Sequence, residues 1–518
     1  MKLAQLLSAL QSVAPDDARP RTAGSNSGVD VQAIYCRAQD VTPGGLFVAI
    51  KGFATDGHAF IEQAVARGAA VVVCEQPAAV AAVVVQVSDS RKALAALAAE
   101  FYGHPSRHMT VVGITGTNGK TTTSYLIESI LQAAGCSAGV IGTVNYRYGG
   151  RLFDNPVTTP ESLDLQRILA DMRSAGVSHV VMEISSHALD LHRVHACDID
   201  VAVFTNLTQD HLDFHQDMDT YWACKRKLFN DCLPACHGKT GLRAVVNIDD
   251  ARGAELAATL AMPHLTTSQR QTADVQAVSA TFDLNGIAAR VQAPEDMLEV
   301  RSALVGRHNL ENILNAMGVG IALALPAAAL QEGIRALTTV PGRLERVADP
   351  AGRFVYVDYS HTPDALQNTL QALRELTTHH IICVFGCGGD RDRSKRPLMG
   401  KIAASLSDLA VVTSDNPRTE APQQIIAQIL QGVRALRVRE YSPETLTDGI
   451  GQKGFVVESD RRKAIMLAVA VARRGDTILI AGKGHETYQI IGRQKFAFDD
   501  RKVAAEESEK KWKVEKGK

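Results

Sequence analysis

The sequence of 518 residues lacks an excess of charge of either sign. Its 55 lysines and arginines are balanced by 56 aspartates and glutamates, so the net charge is -1 with histidine neutral. A protein that binds nucleic acid or anionic lipid through its overall charge carries a strong positive excess. We therefore expect neither a nucleic-acid partner nor a membrane partner.

Long apolar runs and paired cysteines are also missing. No stretch reaches the roughly 18 apolar residues that a membrane-spanning helix needs, and the beginning, MKLAQLLSALQSVAPDD, is too polar for a secretory signal peptide. The nine cysteines include no Cys-x-x-Cys pair. In so long a chain this usage is typical of reduced thiols rather than of a disulfide framework. We therefore expect a cytoplasmic protein.

The composition that is present indicates a large globular α/β protein. Hydrophobic residues make up 46% and charged residues 21%, which is ordinary for a protein with substantial cores, and the length favours about three domains. We place them at 1–108, a small α/β domain; at 109–340, with a parallel sheet; and at 341–518, with a Rossmann-like sheet. Alternating strands and helices support the two larger domains, and the apolar–polar alternation of 275–305 predicts an antiparallel patch.

Several elements are predicted with defined ends. The β/α rhythm of the last domain predicts helices at Pro363–Leu376 and Arg461–Val471 and a strand at Ile381–Phe385. In the central domain a helix is predicted at Asp219–Asn230. The charged tail Glu506–Lys518 is predicted to be a fraying helix end.

The most specific local pattern is VVGITGTNGKTTT at Val111–Thr123. An apolar run enters a glycine-rich turn and then a helix, and this arrangement lets backbone N–H groups, the helix start and Lys120 hold phosphate while a threonine reaches Mg²⁺. The spacing departs from the usual phosphate loop because Ile114 stands where glycine is expected. A plain tight turn is the alternative. The predicted nucleotide-binding residues are Gly116, Thr117, Asn118, Gly119, Lys120, Thr121 and Thr122.

Polar residues follow two further predicted strands of this domain. Glu183 ends the strand of HVVMEISSH, and His211 lies in NLTQDHLD after the next strand. A carboxylate and an imidazole placed so can converge near the loop and hold Mg²⁺; the alternatives are a helix-cap acid and a surface histidine. Lys225 lies in DTYWACKRKLF, and from composition alone its basic neighbours predict a solvated face.

Three polar loops follow strands of the last domain. They are GCGGDRDRSKRP at Gly386–Pro397, SDNPRTE at Ser414–Glu420 and AGKGHE at Ala481–Glu486. Because the carboxyl ends of parallel strands share one edge of a sheet, these loops form one crevice. Its charges of both signs suit a zwitterionic substrate, whereas ordinary turn chemistry is the alternative.

Nine motifs together resemble the Mur ligases. In chain order they are TGTNGKTTT, EISSHALDLHRV, FTNLTQDHLDFH, GRHNLENILNA, PGRLERV, VDYSHTPDAL, GCGGDRDRSKRPLMG, SDNPRTE and AGKGHE. The resemblance runs from about residue 30 to 505. It implies an N-terminal domain for a UDP-sugar, a central ATPase of the phosphate-loop type and a C-terminal domain that brings an amino acid.

The resemblance also implies a reaction. ATP would phosphorylate the D-glutamyl γ-carboxylate of UDP-N-acetylmuramoyl-L-alanyl-D-glutamate, and the amine of meso-2,6-diaminopimelate would attack the acyl phosphate. Mg²⁺ is the implied cofactor and ATP the co-substrate. The three small molecules are the expected partners of a chain that we expect to be a monomer.

Residue roles carried over by the resemblance fall into four groups. Catalysis and metal binding are implied for Lys120, Thr121, Glu183, His211 and Lys225, the last as a carbamate, which reverses the interpretation from composition. Contacts to the adenosine and phosphates beyond the loop are implied for Asn309, Asn312, Arg343 and Asp358. Contacts to the UDP-sugar dipeptide are implied for Cys36, Thr158, Thr159, Ser185 and Arg193. The diaminopimelate pocket is implied to contain Arg391, Asp415, Asn416, Pro417, Arg418, Gly482 and Glu486.

The sequence departs from the family pattern at several positions. Tyr35–Arg37 replaces Asp-Ser-Arg, and Leu191 replaces a glutamine, so the UDP-sugar contacts stay open at these points. His308, Ser360 and Arg393–Ser394 are further departures, and none of them touches the ATP core.

Three other functions compete with this interpretation. Folylpolyglutamate synthetase shares the ATPase core, but an N-terminal domain of this kind and DNPR with AGKGHE are not expected in it. A nucleotide-gated regulator without chemistry would usually have lost a member of the set Lys120, Glu183, His211 and Lys225, and all four are present. A ligase that adds lysine is the specificity alternative, against which Arg418 argues, because it can pair with the distal carboxylate that lysine lacks.

Overall fold

The computed structural model describes residues 1–11, 21–23, 28–52, 55–210, 212–236, 238–446 and 449–517. The chain forms two compact units. The first comprises Met1–Ala277, Gln292–Asp296 and Glu311–Gly333, and the second comprises Val278–Val291, Met297–Leu310 and Ile334–Lys518.

The first unit begins with a small α/β layer. Its elements are α1 (Leu3–Gln11), β1 (Arg21–Ala23), β2 (Ile34–Tyr35), β3 (Gly45–Val48), α2 (Ile61–Ala66), β4 (Ala69–Cys74), β5 (Val83–Gln86) and α3 (Ser90–Phe101). The sheet order is β1-β5-β4-β3-β2, with β1 antiparallel and the other strands parallel. Leucines of α1 and α3 and valines of the sheet form one buried core.

A larger parallel sheet follows in the same unit. Its elements are β6 (Thr110–Thr115), α4 (Lys120–Ala133), β7 (Ala138–Ile141), β8 (Tyr146–Tyr148), β9 (Arg151–Phe153), α5 (Ser162–Ser174), β10 (His179–Glu183), α6 (Ser186–Asp190), β11 (Val201–Phe204), α7 (Leu212–His215), α8 (Met218–Lys227), β12 (Arg243–Asn247), α9 (Ala251–Thr259) and β13 (His264–Ser268). The strands lie in the order β13-β12-β11-β6-β10-β7-β8-β9. All pairs from β13 to β7 are parallel, and the hairpin β8–β9 is antiparallel.

The boundary between the units runs through the next segment. Its elements are β14 (Val275–Asp283), β15 (Gly286–Gln292), β16 (Met297–Ser302), α10 (Arg307–Ala322) and α11 (Ala327–Ala336). Two residues join β14 to its neighbour β15, and only an antiparallel hairpin permits so short a connection. The antiparallel prediction for 275–305 therefore holds for this pair.

The second unit contains a doubly wound sheet. Its elements are β17 (Glu345–Val347), β18 (Phe354–Asp358), α12 (Pro363–Leu376), β19 (Ile381–Phe385), α13 (Lys395–Leu406), β20 (Leu409–Val412), α14 (Pro422–Arg434), β21 (Arg439–Tyr441), β22 (Gly454–Val457), α15 (Arg461–Val471), β23 (Thr477–Ala481), β24 (Tyr488–Ile491), β25 (Gln494–Ala497) and α16 (Asp500–Glu515). The sheet order is β17-β18-β23-β19-β20-β22-β21, parallel except for β17. Strands β24 and β25 form a separate hairpin.

Adjacent residues of the central strands enter two different cores. Phe385 packs with α12, α13 and α14 on one face, whereas Val384 packs with α15 and α16 on the other. A strand that is covered on both faces must be apolar throughout, and β19 is buried at all five positions. The predicted α/β class, with a parallel sheet after the phosphate loop and a Rossmann-like sheet at the end, is confirmed.

Predicted and observed elements differ mainly in details. Helices α12 and α15 and strand β19 agree with the prediction at both ends. The helix predicted at 219–230 ends at Lys227, because Leu228–Cys232 forms a π-helical turn. Within the described ranges no helix is both long and apolar enough to cross a membrane.

A buried ion pair joins α15 to α16. Arg461 and Asp500 have fully buried side chains, and Nε and Nη2 of the arginine donate to the two carboxylate oxygens at 2.8 and 2.7 Å. The same helices carry an exposed pair, Arg462 with Glu506, at 3.2 Å. Removing one partner of a buried pair leaves the other charge without compensation.

We expect Asp500→Asn to lower the free energy of unfolding by about 3 kcal/mol or more. The matched control Glu506→Gln, in the exposed pair, should cost less than about 1 kcal/mol. Urea denaturation of both variants measures the difference. Equal decreases in the free energy of unfolding would show that burial does not determine how much the Arg461–Asp500 pair contributes to stability.

Candidate active site

Glycines shape the loop between β6 and α4. Gly116 has φ +147° and Gly119 has φ +87°, conformations that favour glycine. A Cβ at Gly116 would overlap Thr205 Oγ1, and a Cβ at Gly119 would overlap Asn312 Oδ1. The loop is therefore packed tightly against the end of β11 and against α10.

Two lysines converge on one carbonyl of this loop. Lys120 Nζ donates to the carbonyl oxygens of Gly116 and Thr117, each at 2.8 Å. Lys225 Nζ, from α8, donates to the same Gly116 oxygen at 2.7 Å and lies 4.4 Å from the ring centroid of Tyr221. Two amine groups thus lie beside the backbone predicted to bind phosphate.

The prediction from composition that the basic residues of α8 form a solvated face is wrong for Lys225. Its side chain is 1% exposed, whereas Lys227 on the same helix is partly exposed and pairs with Asp190 at 2.9 Å. Burial, and after it the positive charge of Lys120, hold the pKa of the Lys225 amine well below its ordinary value. Composition could not reveal this, because burial is set by the tertiary packing of α8.

Glu183 is a buried carboxylate at the end of β10. It is 1% exposed. Its Oε2 accepts hydrogen bonds from Thr121 Oγ1 at 3.0 Å and Thr143 Oγ1 at 2.8 Å, and its Oε1 accepts one from Thr143 N–H at 3.0 Å. The carboxylate therefore joins the start of α4 to the residues after β7.

The two alternatives considered for Glu183 and His211 have different outcomes. Ser185, rather than Glu183, caps the N-terminus of α6, because its hydroxyl accepts from Ala188 N–H. The helix-cap interpretation of Glu183 is therefore wrong. His211 lies outside the described residues.

A second polar group extends from Glu183 toward α6. Thr159 Oγ1 donates to the Glu183 carbonyl at 2.9 Å and accepts from Ser185 N–H at 3.1 Å. Arg193 Nη1 donates to the Thr159 carbonyl at 3.0 Å. In the described part of the chain, the buried Nε of Arg193 has no hydrogen-bond partner. Thr158 contacts Thr143 through its hydroxyl at 3.2 Å.

Cys36 lies near the same group. Burial, followed by the negative charge of Glu161, raises the pKa of its thiol to about 11. Glu161 pairs with Arg91 at 3.1 Å and approaches Arg193 at 3.6 Å. Hydrogen bonds thus link four of the five predicted UDP-sugar residues. The fifth, Cys36, is close enough to Glu161 for the negative charge of that residue to raise the pKa of its thiol.

The residues predicted to contact the adenosine and phosphates are divided between the two units. Asn312, in the first unit, accepts from Thr123 Oγ1 at 3.3 Å. Asn309, in the second unit, donates from Nδ2 to the Val305 carbonyl at 2.8 Å. Both asparagines are buried.

Arg343 and Asp358 lie at the first two strands of the sheet of the second unit, Arg343 before β17 and Asp358 at the end of β18. Asp358 ends β18, and its carboxylate accepts from Leu344 N–H at 2.7 Å and Ser360 N–H at 2.9 Å. The Arg343 guanidinium carbon lies 5.3 Å from the ring centroid of Tyr359. The carboxylate therefore fixes the turn that carries Arg343.

The predicted crevice of the last domain is formed by neighbouring strands. Strands β18, β23, β19 and β20 are consecutive in the sheet. Asn416 Nδ2 donates to Glu486 Oε2 at 2.8 Å, and a Cβ at Gly482 would overlap Asp415 Oδ2. The structure therefore brings the SDNPRTE and AGKGHE loops into direct contact.

The loop after β19 completes this crevice. Arg418, with φ +50°, donates from Nη1 to the Gly389 carbonyl at 3.0 Å, and a Cβ at Gly389 would overlap the Pro417 carbonyl. Arg391 is more exposed and donates to the Asp390 carbonyl at 3.1 Å. Its side chain is not held against the other two loops by any hydrogen bond among the described residues.

Sequence reasoning missed two residues that organise the site. Lys483 is fully buried and donates to Asn416 Oδ1 at 3.2 Å, to Glu486 Oε2 at 3.0 Å and to the Tyr488 carbonyl. Its position at the end of an apolar strand, inside AGKGHE, was the available indication. Thr143, which binds Glu183, follows a short strand in an unremarkable polar segment.

Three models of one family match most of the chain. The Mur ligase family, catalytic domain, matches residues 30–102; the Mur ligase middle domain matches 114–320; and the Mur ligase, glutamate ligase domain, matches 342–484. The chain belongs to the Mur ligase family. As a Mur ligase it is an ATP-dependent enzyme that forms a C–N bond.

Named relatives of this Mur ligase share one description. The UDP-N-acetylmuramoyl-L-alanyl-D-glutamate--2,6-diaminopimelate ligase of Geobacter metallireducens is 49% identical over 488 residues, covering 94% of this chain and 96% of the relative. The ligase of the same name from Geobacter sulfurreducens is 48% identical over 477 residues, covering 92% and 94%.

A solved structure agrees with these sequence relationships. The structure of a UDP-N-acetylmuramoyl-L-alanyl-D-glutamate--2,6-diaminopimelate ligase has 32% sequence identity and a TM-score of 0.67, covering 93% of this chain and 95% of that one. The three-domain architecture expected of a Mur ligase is confirmed.

Proposed function

We propose that this Mur ligase joins meso-2,6-diaminopimelate to UDP-N-acetylmuramoyl-L-alanyl-D-glutamate and converts ATP to ADP and phosphate. The relatives described above carry this activity in their names. The observation that carries the proposal is the crevice in which Asn416 binds Glu486 beside Arg418. Groups of both charges meet there, as a substrate with ammonium and carboxylate ends requires.

The chemistry follows from the poor reactivity of a carboxylate. Its leaving group in acyl transfer would be oxide, so phosphorylation by ATP supplies a better one, and the amine then displaces phosphate through a tetrahedral intermediate. The protein contributes positioning and neutralisation of charge. Residues 116–122 bind the ATP phosphates, with Lys120 as the neutralising cation, and Asn309, Asn312, Arg343 and Asp358 contact the adenosine and phosphates.

The residues around Glu183 fit Mg²⁺. A buried carboxylate and the Thr121 hydroxyl, 3.0 Å apart, are the hard oxygen donors that this ion prefers. Glu183, Thr121, His211 and carbamylated Lys225 are the proposed ligands. When bound, the ion would neutralise charge on the transferring phosphoryl group.

Lys225 suits carbamylation for physical reasons. A lowered pKa leaves more of the amine unprotonated, and the neutral nitrogen is the form that adds to CO₂ and releases a proton. The product is an anion. Lys120 would attract this anion, whereas it repels a protonated Lys225.

The UDP-sugar dipeptide is assigned to the group around Arg193. Cys36, Thr158, Thr159 and Ser185 complete it. The support is the buried Arg193 guanidinium. Its Nε makes no hydrogen bond to a described residue and lies 3.6 Å from a Glu161 carboxylate oxygen, so its N–H groups are available to a ligand acceptor.

Diaminopimelate is assigned to the crevice of the second unit. Arg418 uses one N–H on Gly389, so its planar fork retains donors for the distal carboxylate. The remaining proposed contacts are Arg391, Asp415, Asn416, Pro417, Gly482 and Glu486.

The assignment has consequences for domains and cell biology. We place the UDP-sugar domain at 1–108, the ATPase domain at 109–340 and the amino-acid domain at 341–518. The enzyme would work as a cytoplasmic monomer in peptidoglycan precursor synthesis, and hence in cell wall growth, cell shape and cell division.

The proposed reaction is tested by phosphate release. With ATP, Mg²⁺ and UDP-N-acetylmuramoyl-L-alanyl-D-glutamate, we expect release on addition of meso-diaminopimelate and not of L-lysine, together with a tripeptide product by mass spectrometry. Release with lysine alone would overturn the pocket assignment, and no release with either amino acid would refute the reaction.

Arg418→Ala tests the choice of amino acid. Loss of a charged hydrogen-bond donor should reduce kcat/KM for diaminopimelate about 10- to 100-fold and leave KM for ATP unchanged. Arg434→Ala, which removes an exposed arginine of α14, is the control. If diaminopimelate and lysine remain as distinct as in the unaltered enzyme, Arg418 does not set the choice.

Carbamylation of Lys225 is tested by ¹³C NMR in the presence of ¹³C-bicarbonate. We expect a carbamate resonance that persists in Lys227→Ala and is absent from Lys225→Ala, because burial lowers the pKa of the Lys225 amine, whereas the pKa of Lys227 is raised. A resonance retained in Lys225→Ala would assign the carbamate elsewhere, and its absence from the unaltered protein would contradict the proposal.

A further inference from the structure

The hairpin β24–β25 lies outside the main sheet of the second unit. Its strands form a sheet of their own, joined to the rest of the unit by an isolated parallel bridge between Ile491 and Arg418. Ile491 and Phe496 are 49% and 48% exposed. An isolated two-stranded hairpin has little stability in water. Its position must therefore come from its attachments to the rest of the unit.

The main chain of Arg418 is one of these attachments. Arg418 N–H donates to the Ile490 carbonyl at 3.1 Å, and the Arg418 carbonyl accepts from Gly492 N–H at 2.7 Å. Both backbone groups of the arginine are thus held by the hairpin. This matters because Arg418 has φ +50°, a left-handed conformation that is unfavourable for a residue with a side chain and that contacts with the surroundings stabilise.

Side chains add three further attachments. Gln489 Nε2 donates to the Asp415 carbonyl at 2.6 Å, and Ile490 N–H donates to Asn416 Oδ1 at 2.9 Å. Lys483 reaches the hairpin through the Tyr488 carbonyl. The loop from Asp415 to Arg418 is therefore bonded to the hairpin at three of its four residues, Asp415, Asn416 and Arg418.

Lys483 connects all the parts of this network. Its ammonium has three N–H groups, and they meet Asn416 of one loop, Glu486 of another and Tyr488 of the hairpin. Because the ammonium is fully buried, each lost contact leaves an unsatisfied charged group. Lys483 is therefore bonded to the hairpin and also to the side chains of Asn416 and Glu486, so a shift of the hairpin would change the orientation of both side chains.

We propose that the β24–β25 hairpin is a specificity element that holds Arg418 in its left-handed conformation, with Gln489 and Lys483 as positioning residues for diaminopimelate. The inference rests on the proposed function, in which Arg418 binds the distal carboxylate. Neither Gln489 nor Lys483 needs to touch the substrate. They act through the backbone and side chains of residues 415–418, and their removal changes how well the crevice distinguishes diaminopimelate from lysine.

The test compares three variants. Gln489→Leu removes the donor to Asp415, and Lys483→Met removes the central ammonium. Gln494→Leu is the matched control, because it makes the same exchange on the same hairpin at an exposed side chain. Hydrogen–deuterium exchange of the 414–420 segment is measured beside KM for diaminopimelate, KM for ATP and the relative use of lysine.

We expect faster exchange at 414–420 in Gln489→Leu and Lys483→Met and unchanged exchange in the control. In Gln489→Leu, KM for diaminopimelate should rise about three- to tenfold, with kcat and KM for ATP within twofold and with increased relative use of lysine. A merely structural role would instead raise the KM values together or lower kcat.

Two results would overturn the inference: exchange at 414–420 that is unchanged in Gln489→Leu, or exchange that increases while KM for diaminopimelate stays constant. If Lys483→Met does not fold, Gln489→Leu alone decides. An unaltered protein that releases no phosphate with diaminopimelate refutes the proposed function instead, and the exchange comparison still decides whether the hairpin holds the Arg418 loop.

Discussion

A buried carboxylate that must be satisfied is the constraint on which the site of the first unit depends. Glu183 lies at the end of β10 with 1% exposure, and a carboxylate there is tolerated only if hydrogen bonds replace its water. Thr121 and Thr143 supply them. Because these threonines follow β6 and β7, one charge sets the relative positions of three strand ends and of the phosphate loop.

In the second unit a buried group of the opposite charge is satisfied in the same way, by hydrogen bonds. Lys483 is a buried ammonium at the end of β23, and its partners lie on the neighbouring loops and on the hairpin. In both units the charge follows an apolar strand, and its partners follow adjacent strands. A polar network of this kind defines one geometry when every member is satisfied. In both units an apolar sheet thus carries a buried charged group whose partners on adjacent loops define the geometry of the site.

Much of this architecture was predictable from the sequence where local patterns were strong. Helix α12 has Thr362 as N-cap followed by proline, and α15 has Asp460 as N-cap, so their starts carry recognisable residues. Strands β8, β9, β21 and β22 and the hairpin β24–β25 were not predicted. They have three or four residues each, and most are partly exposed, so neither length nor alternation marks them.

The site was predictable only as a set of residue types. Motif order placed Glu183, Lys120 and Arg418 at strand ends, but the partners that hold them depend on tertiary contacts. Lys225 illustrates the limit, since its basic neighbours on α8 indicate a solvated helix whereas its own side chain is 1% exposed. Lys483 illustrates it again, because its position after an apolar strand, inside AGKGHE, indicates a residue near the crevice but not that its ammonium is fully buried.

The Arg461–Asp500 pair has a consequence for the order in which the chain is built. Besides Asp500, the Arg461 guanidinium donates to the carbonyls of Ser414 and Ala481, directly beneath the two loops of the crevice. Asp500 follows Ser414 by more than eighty residues. On the ribosome, where domains fold from the N-terminus onward, the cation lacks its counter-ion until α16 emerges. The central strand β23 and helix α16 both follow Arg461 in the chain, so the crevice is completed only after both have emerged.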